Sequence, residues 1–349
     1  MKKYILTAIQ LLITVGLLWW IFRNPDQNQK LLVALDSANL WWFFPGLVAI
    51  GAGLLIQVER WRILLRVQGI VVSFSRAIRI ILVGMFFNLF LIGATGGDIV
   101  KIFLIIREAP HKKAGALLSV FIDRIVGLLA LAAISAAMIL FHWDELISHE
   151  FTRLVVFTVA IILGGSLGFI LVAWLVDRLH LTARLPQWLP ARAKIAEAAT
   201  AFAEYARAGK SVTHAFLLSI PSHFLFFSTF YFGAQAFNSG LELSNLFCVS
   251  PIVSTVTALP ISVGGAGLRE ALFIQILGGL YSTPESIATL ISLSGFMMSV
   301  FWSLVGGAIY LLYRSTSHDL PHMADMQGAV ETLEHQVEAN AVSGHKLDT

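Results

Sequence analysis

The sequence predicts an all-α polytopic membrane protein, with about six full transmembrane helices and two re-entrant helical hairpins in an inverted-topology repeat. Three observations carry that expectation. Apolar residue types make up 57% of the 349 residues and charged types 13%, against roughly 45–50% and about 25% in a soluble domain. So few charges cannot cover the surface of a soluble globule of this length. Uncharged apolar runs of bilayer length recur along the chain, and two Gly-rich breaks fall at matching places in its two halves.

Composition also removes other classes. A mean hydropathy of +0.78 excludes disorder for most of the chain. One cysteine, Cys248, excludes a disulfide framework and a Cys-rich metal site. A net charge of +3 gives no case for nucleic acid.

A bilayer core takes about 20 apolar residues per helix. Residues 4–22 carry no charge and end near a Trp pair, as interfacial anchors do. The run is long for a signal peptide and no small-residue cleavage site follows it, so it reads as a retained helix. Further full spans are expected at 41–58, 115–141, 153–176, 214–237 and 286–313.

Lys and Arg fix the topology, because they stay on the cytoplasmic side. Lys2 and Lys3 place the N-terminus inside. Arg60, Arg62, Arg66, Arg76 and Arg79 mark an inside loop, and so do Arg107, Lys112 and Lys113. Residues 77–106 therefore leave and return. Thirty residues are too few for two full spans, which need about 40. A re-entrant hairpin fits, its tip near Thr95-Gly96-Gly97-Asp98. The loop HWDELISHE is acidic and outside, whereas 177–213 is the most basic loop and inside. Residues 246–281 are broken by Pro260 and Gly264-Gly265-Ala266-Gly267, and the loops on either side lack Lys and Arg. A second hairpin entering from the outside follows. Arg314 closes the last span, and residues 315–349 read as a mobile cytoplasmic tail.

The breaks GATGGDIVK (93–101) and SVGGAGLRE (262–270) each place a cation four residues after a Gly pair: Gly97 to Lys101 and Gly265 to Arg269. The flanking spans run in opposite senses in the two halves. That is the arrangement of transporters with broken helices at a mid-membrane site.

Ionisable groups at membrane depth usually face a polar interior. They are Asp98 and Lys101, Asp123 and Arg124, and Arg269 and Glu270. Glu59 and Arg62, at i,i+3 spacing near the inner end of a span, read as a supporting ion pair. After a Gly-rich break, the first helical turn offers free N–H groups and a positive dipole end, a natural anion seat. The expected site is therefore an anionic head-group clamp built from Gly96, Gly97, Asp98 and Lys101 in one half and Gly264, Gly265, Gly267, Arg269 and Glu270 in the other. The two tips should meet near mid-membrane. Asp123 shares a helical stripe with Ser119 and Gly127, which should face the bundle interior, and its expected partner is Lys101 or Arg269. Arg124, about 100° round the helix, should point elsewhere. If Lys101 paired only with Asp98 and Arg269 only with Glu270, these residues would be structural ion pairs instead.

No P-loop, HExxH or GxSxG occurs. His214 and His223 are nine residues apart, on opposite helix faces, and make no metal pair. No cofactor, metal or catalytic residue is expected. Arg192 to Lys210 reads as an amphipathic surface helix with Ile195, Ala199, Phe202 and Ala206 on its apolar face.

The ordered motifs ERWRILL, GATGGDIVK, DRIVGLL and PISVGGAGLRE resemble the flippase-like transmembrane domain of the lysylphosphatidylglycerol synthase family, including stand-alone members of the bacterial inner membrane. The resemblance covers roughly residues 5–314. It implies a role in moving or handling an anionic, aminoacylated or polyprenyl-linked phospholipid. Its matching positions are Glu59, Arg60 and Arg62; Gly96, Gly97, Asp98 and Lys101; Asp123, Arg124 and Gly127; and Pro260, Gly264, Gly265, Gly267, Arg269 and Glu270. Lys101 stands where Arg is as frequent, and Asp123 where Glu is common. No soluble aminoacyl-transferase domain accompanies these motifs, so synthase activity is not expected. The expected partners are the bilayer and a membrane lipid. Two other readings use the same residues: an ion-coupled transporter of a small anionic solute, and an intramembrane enzyme or accessory subunit acting on a lipid-linked sugar with Asp98 or Glu270 as acid/base.

Overall fold

The computed structural model describes residues 2–90, 96–178 and 201–316. Every regular element among them is a helix: α1 (Lys2–Phe22), α2 (Pro25–Asp36), α3 (Phe43–Val67), α4 (Phe74–Phe90), α5 (Gly96–Glu108), α6 (Lys113–Phe141), α7 (Trp143–Ser148), α8 (Glu150–Arg178), α9 (201–207), α10 (Gly209–Ala236), α11 (Leu243–Thr257), α12 (Leu268–Tyr281) and α13 (Glu285–Thr316). The protein is an all-α polytopic membrane protein.

Among the described residues, five helices are long and apolar enough to cross a bilayer: 40–67, 113–141, 150–168, 209–236 and 285–312. They coincide with five of the six expected spans. The sixth falls on α1, whose stretch Ile9–Phe22 is a shorter apolar helix. Large apolar side chains such as Leu12, Leu140, Ile161 and Leu312 are exposed on these helices. A bilayer supplies the apolar surroundings they require.

Local chemistry sets the ends. Pro25 occupies the first turn of α2, where its missing N–H costs nothing, and Asn24 caps that turn by accepting from the Asp26 N–H at 3.1 Å. Asn245 accepts from the Glu242 N–H at 2.8 Å at the start of α11. Gly267 sits at φ +77°, and a Cβ there would lie 2.7 Å from Leu17 Cβ, so no other residue fits that turn.

Helices α4 and α5 fold back on each other. Arg76 near the start of α4 meets Glu108 at the end of α5 at 2.5 Å. Gly97, at the start of α5, lies against Gly84 and Asn88 near the end of α4, and its N–H donates to Asn88 Oδ1 at 2.7 Å. The rest of the expected tip, 91–95, lies outside the described residues. Helices α11 and α12 make a second hairpin. Cys248 near the start of α11 and Tyr281 at the end of α12 belong to one apolar cluster, and Thr257 at the end of α11 packs on Gly265 in the turn.

Each hairpin has its own apolar core. Val83, Phe87, Val100 and Leu104 of the first cluster with Val58 and Trp61 of α3 and Tyr310 of α13. Ile252, Val253, Phe273 and Leu277 of the second cluster with Val159 of α8 and Phe230 of α10. Helix α3 packs along α10; α4 packs on α13, and α11 on α6.

Of the expected amphipathic helix, only residues from 201 are described. Ala201, Ala203 and Tyr205 are buried and Phe202 is half-buried against the bundle, whereas Ala206 is exposed. The apolar face is therefore centred on Ala201 and Tyr205 rather than on Phe202 and Ala206, because it packs on α3 and α6. Tyr205 donates to the Leu64 carbonyl at 3.1 Å, and Gln68 donates to the Ala201 carbonyl at 2.8 Å. The expected tail lies outside the described residues from 317 onward.

Candidate functional site

Three groups of charged side chains lie within the helical bundle. At the first hairpin, the buried Asp98 carboxylate in the first turn of α5 accepts from Arg124 of α6, and Lys101 Nζ lies 3.6 Å from it. A carboxylate in a first turn is favoured by the helix dipole. At the second hairpin, Glu270 is 1% exposed. Its Oε1 accepts from Arg269 Nη2 and from the Ser292 hydroxyl, both at 2.8 Å, and its Oε2 accepts from the Gly267 N–H at 2.7 Å. The Arg269 guanidinium also lies over the Phe296 ring at 5.3 Å.

The third group joins three spans. Arg60 of α3 holds Asp123 of α6 through two parallel bonds, Nε to Oδ1 at 2.8 Å and Nη2 to Oδ2 at 2.9 Å. Its Nη1 donates to Ser219 of α10 at 3.0 Å. Both partners are almost fully buried. Fork-to-fork geometry is the strong form of this pair.

The interior stripe of Ser119, Asp123 and Gly127 is buried, as the spacing predicts. The expected partner of Asp123, Lys101 or Arg269, is corrected to Arg60. Lys101 lays its stem along Gly84 and its head group on Asp98, and Arg269 is committed to Glu270. Arg124 does not point away from the site residues: one step round α6 from Asp123, it reaches Asp98.

A cavity of about 400 Å³ lies between α3, α6, α10, α13 and the turn of the second hairpin. Its polar lining includes Gln57, Arg60, His223, Thr257 and Arg269, with Gly264 of the turn and Met85 of α4. His223 Nε2 lies 3.0 Å from the Gly127 carbonyl, and its ring stacks on Phe227. The structure thus brings Gly264 and Arg269 to the cavity directly, with Asp123 and Glu270 just behind. Asp98, Lys101 and Arg124 form their own network at the first hairpin, with Gly96 and Gly97 buried at the start of the same helix as Asp98. The second cavity cation is Arg60, not Lys101. Gly265 and Gly267 shape the turn, at φ +78° and +77°. Glu59 pairs with Arg62 and, at 3.3 Å, with Arg66.

Sequence reasoning passed over Gln57 and Ser219, and weighed His223 only as a metal ligand. A signal was present: Gly53, Gln57 and Arg60 fall on one stripe of an otherwise apolar helix, and Ser219, Ser222 and His223 on one stripe of another.

Fold and site together define a polytopic helical membrane protein with two helical hairpins and an arginine-lined interior cavity. The chain belongs to the lysylphosphatidylglycerol synthase TM region family, whose model matches residues 7–307. That range contains both hairpins and every residue of the cavity, and membership ties the protein to a lipid-related role in a membrane. A 112-residue stretch is 30% identical to a UPF0104 membrane protein of Pyrococcus horikoshii and covers 32% of each chain. The match thus spans about a third of that relative's length.

Proposed function

We propose that the protein is a lipid translocase, a carrier rather than an enzyme, that seats the anionic head group of a phospholipid in the central cavity. One observation carries the reading: Arg60 and Arg269, each backed by a buried carboxylate, line the same cavity beside a glycine-rich turn. With Asp123 and Glu270 behind them, the cavity is close to neutral, which a membrane interior tolerates better than bare cations. Arg269 Nη1 has no hydrogen-bond partner among the described residues and remains to receive a phosphate oxygen.

The hairpins are read as re-entrant and the halves as an inverted repeat. What supports this is that the packing survives exchange of the halves. Swapping α3 with α10, α4 with α11, α5 with α12 and α6 with α13 turns the α4–α13 packing into α11–α6, and α5–α6 into α12–α13. Both ends of the spanning region are read as cytoplasmic, in a bacterial inner membrane; the basic loops support this reading.

The test uses vesicles containing the purified full chain and a head-group-labelled phosphatidylglycerol, with the exposed leaflet quenched chemically. The double change Arg269→Gln with Glu270→Gln removes both charges together, so neither is left buried alone. It should slow the protein-dependent inward–outward exchange at least tenfold while melting stays near wild type. Exchange at the wild-type rate in that variant would exclude the cavity as the head-group seat.

A further inference from the structure

A second, larger pocket lies away from the cavity, at the foot of the first hairpin. It encloses about 750 Å³ and is lined by Val71, Val72, Ser73, Arg76, Arg79, Arg107 and Glu108. Three guanidiniums and one carboxylate therefore face one space. Each arginine is oriented by an interaction of its own. Arg76 Nε meets Glu108 at 2.5 Å, Arg79 Nε donates to the Ser75 carbonyl at 3.0 Å, and the Arg107 head group lies over the Phe103 ring at 5.1 Å. The loop that forms the floor is pinned from α3, where Arg62 Nε donates to the Val72 carbonyl at 3.0 Å.

Helix stability does not explain this arrangement. Arg76 and Arg79 stand at the start of α4, where the dipole disfavours cations. Topology asks for basic residues on this side of the membrane but not for their convergence on a single pocket. Planar guanidinium groups gathered around one space suit phosphate oxygens, which they bind in pairs. Val71 is 83% exposed on the rim and Phe74 is exposed beside it, so the mouth offers apolar surface next to the charge.

We propose that this pocket is a phosphate-binding site, separate from the central cavity, that takes either a phospholipid head group from the adjoining leaflet or a free phosphate. The proposal does not rest on the translocase reading.

The full chain, purified in uncharged detergent, is titrated with phosphatidic acid, with phosphatidylcholine and with inorganic phosphate, using native mass spectrometry for the lipids and calorimetry for the ion. The Arg79→Gln/Arg107→Gln pair should weaken binding at least tenfold. Glu108→Gln removes the one carboxylate and should tighten it several-fold, an outcome that a purely structural Arg76–Glu108 pair does not give. Arg269→Gln with Glu270→Gln should leave binding at this pocket unchanged. If these effects appear with phosphatidic acid alone, the occupant is a lipid head group; if they appear with inorganic phosphate as well, it is a free anion. Binding of phosphatidic acid and of inorganic phosphate that is the same in wild type, Arg79→Gln/Arg107→Gln and Glu108→Gln, or binding of phosphatidylcholine as tight as that of phosphatidic acid, overturns the site.

Discussion

Asp123→Asn tests the central link of the bundle. The substitution keeps the side-chain size but removes the charge that Arg60 faces through bonds of 2.8 and 2.9 Å. Arg60 is 4% exposed, so water reaches it only from the cavity side and cannot restore the paired geometry. Breaking a buried pair from one side costs about 3–5 kcal/mol, because a charge is left uncompensated. Replacing both members with apolar groups of similar volume is often neutral. Arg60→Met with Asp123→Leu should therefore cost under about 1 kcal/mol, although each single change is severe. Ser219 tolerates the exchange, since its hydroxyl already donates to the Ala215 carbonyl at 2.9 Å. The assay is unfolding of all four proteins in mixed micelles with increasing SDS, read as a double-mutant cycle. A loss below about 1 kcal/mol in Asp123→Asn, or a double variant as weak as the sum of the singles, would refute the view that these residues form one closed unit.

Gly97→Ala places a Cβ 2.1 Å from the Gly84 carbonyl oxygen. It should force the first hairpin apart and lower stability by about 1–3 kcal/mol, and a structure of the variant should show the Asp98–Arg124 ion pair broken. Burial pushes the Tyr205 phenol well above its ordinary value of about 10. The raised folded-state value makes its stabilising share complete below about pH 10 and lost as alkali drives ionisation. Tyr205→Phe should cost about 1 kcal/mol at neutral pH, for the bond to Leu64. It should also show a shallower fall in melting temperature between neutral and strongly alkaline pH than wild type; identical alkaline slopes would contradict this.

The spans were readable because a bilayer demands long apolar runs: 286–313 carries no charge at all, and 115–141 only the adjacent Asp123 and Arg124. The fold-back of α4 on α5 was readable because thirty residues between two basic groups are too few for two full spans, and that of α11 on α12 because Pro260 and the glycines interrupt the apolar run. The partner of Asp123 was not. Helical spacing reveals neighbours three or four positions away, as with Glu59 and Arg62, but Arg60 and Asp123 are 63 residues apart. Which residues meet across helices depends on the rotation of each helix about its axis. A rotation of one residue decides whether Asp123 or Arg124 faces the first hairpin. Arg60 was further hidden by its neighbours: in ERWRILLR it looks like one more member of a basic loop, although Arg62 and Arg66 turn toward Glu59 and Arg60 turns inward.

Helix α1 is tied to the turn of the second hairpin by Gln10, which donates to the Pro260 carbonyl at 2.7 Å, and by Thr14, which accepts from the Val263 N–H at 2.9 Å. Gln10 and Pro260 are 250 positions apart. At about 5–20 residues per second, a ribosome needs roughly 10–50 s to deliver the second after the first. Through that interval α1 waits with the Gln10 amide lacking its final partner. The last hairpin cannot take its finished shape until this early helix returns to it. Assembly of this turn is thus closed by an early helix meeting a late hairpin, and changes that delay or displace α1 during biogenesis will be felt at the cavity rather than where they were made.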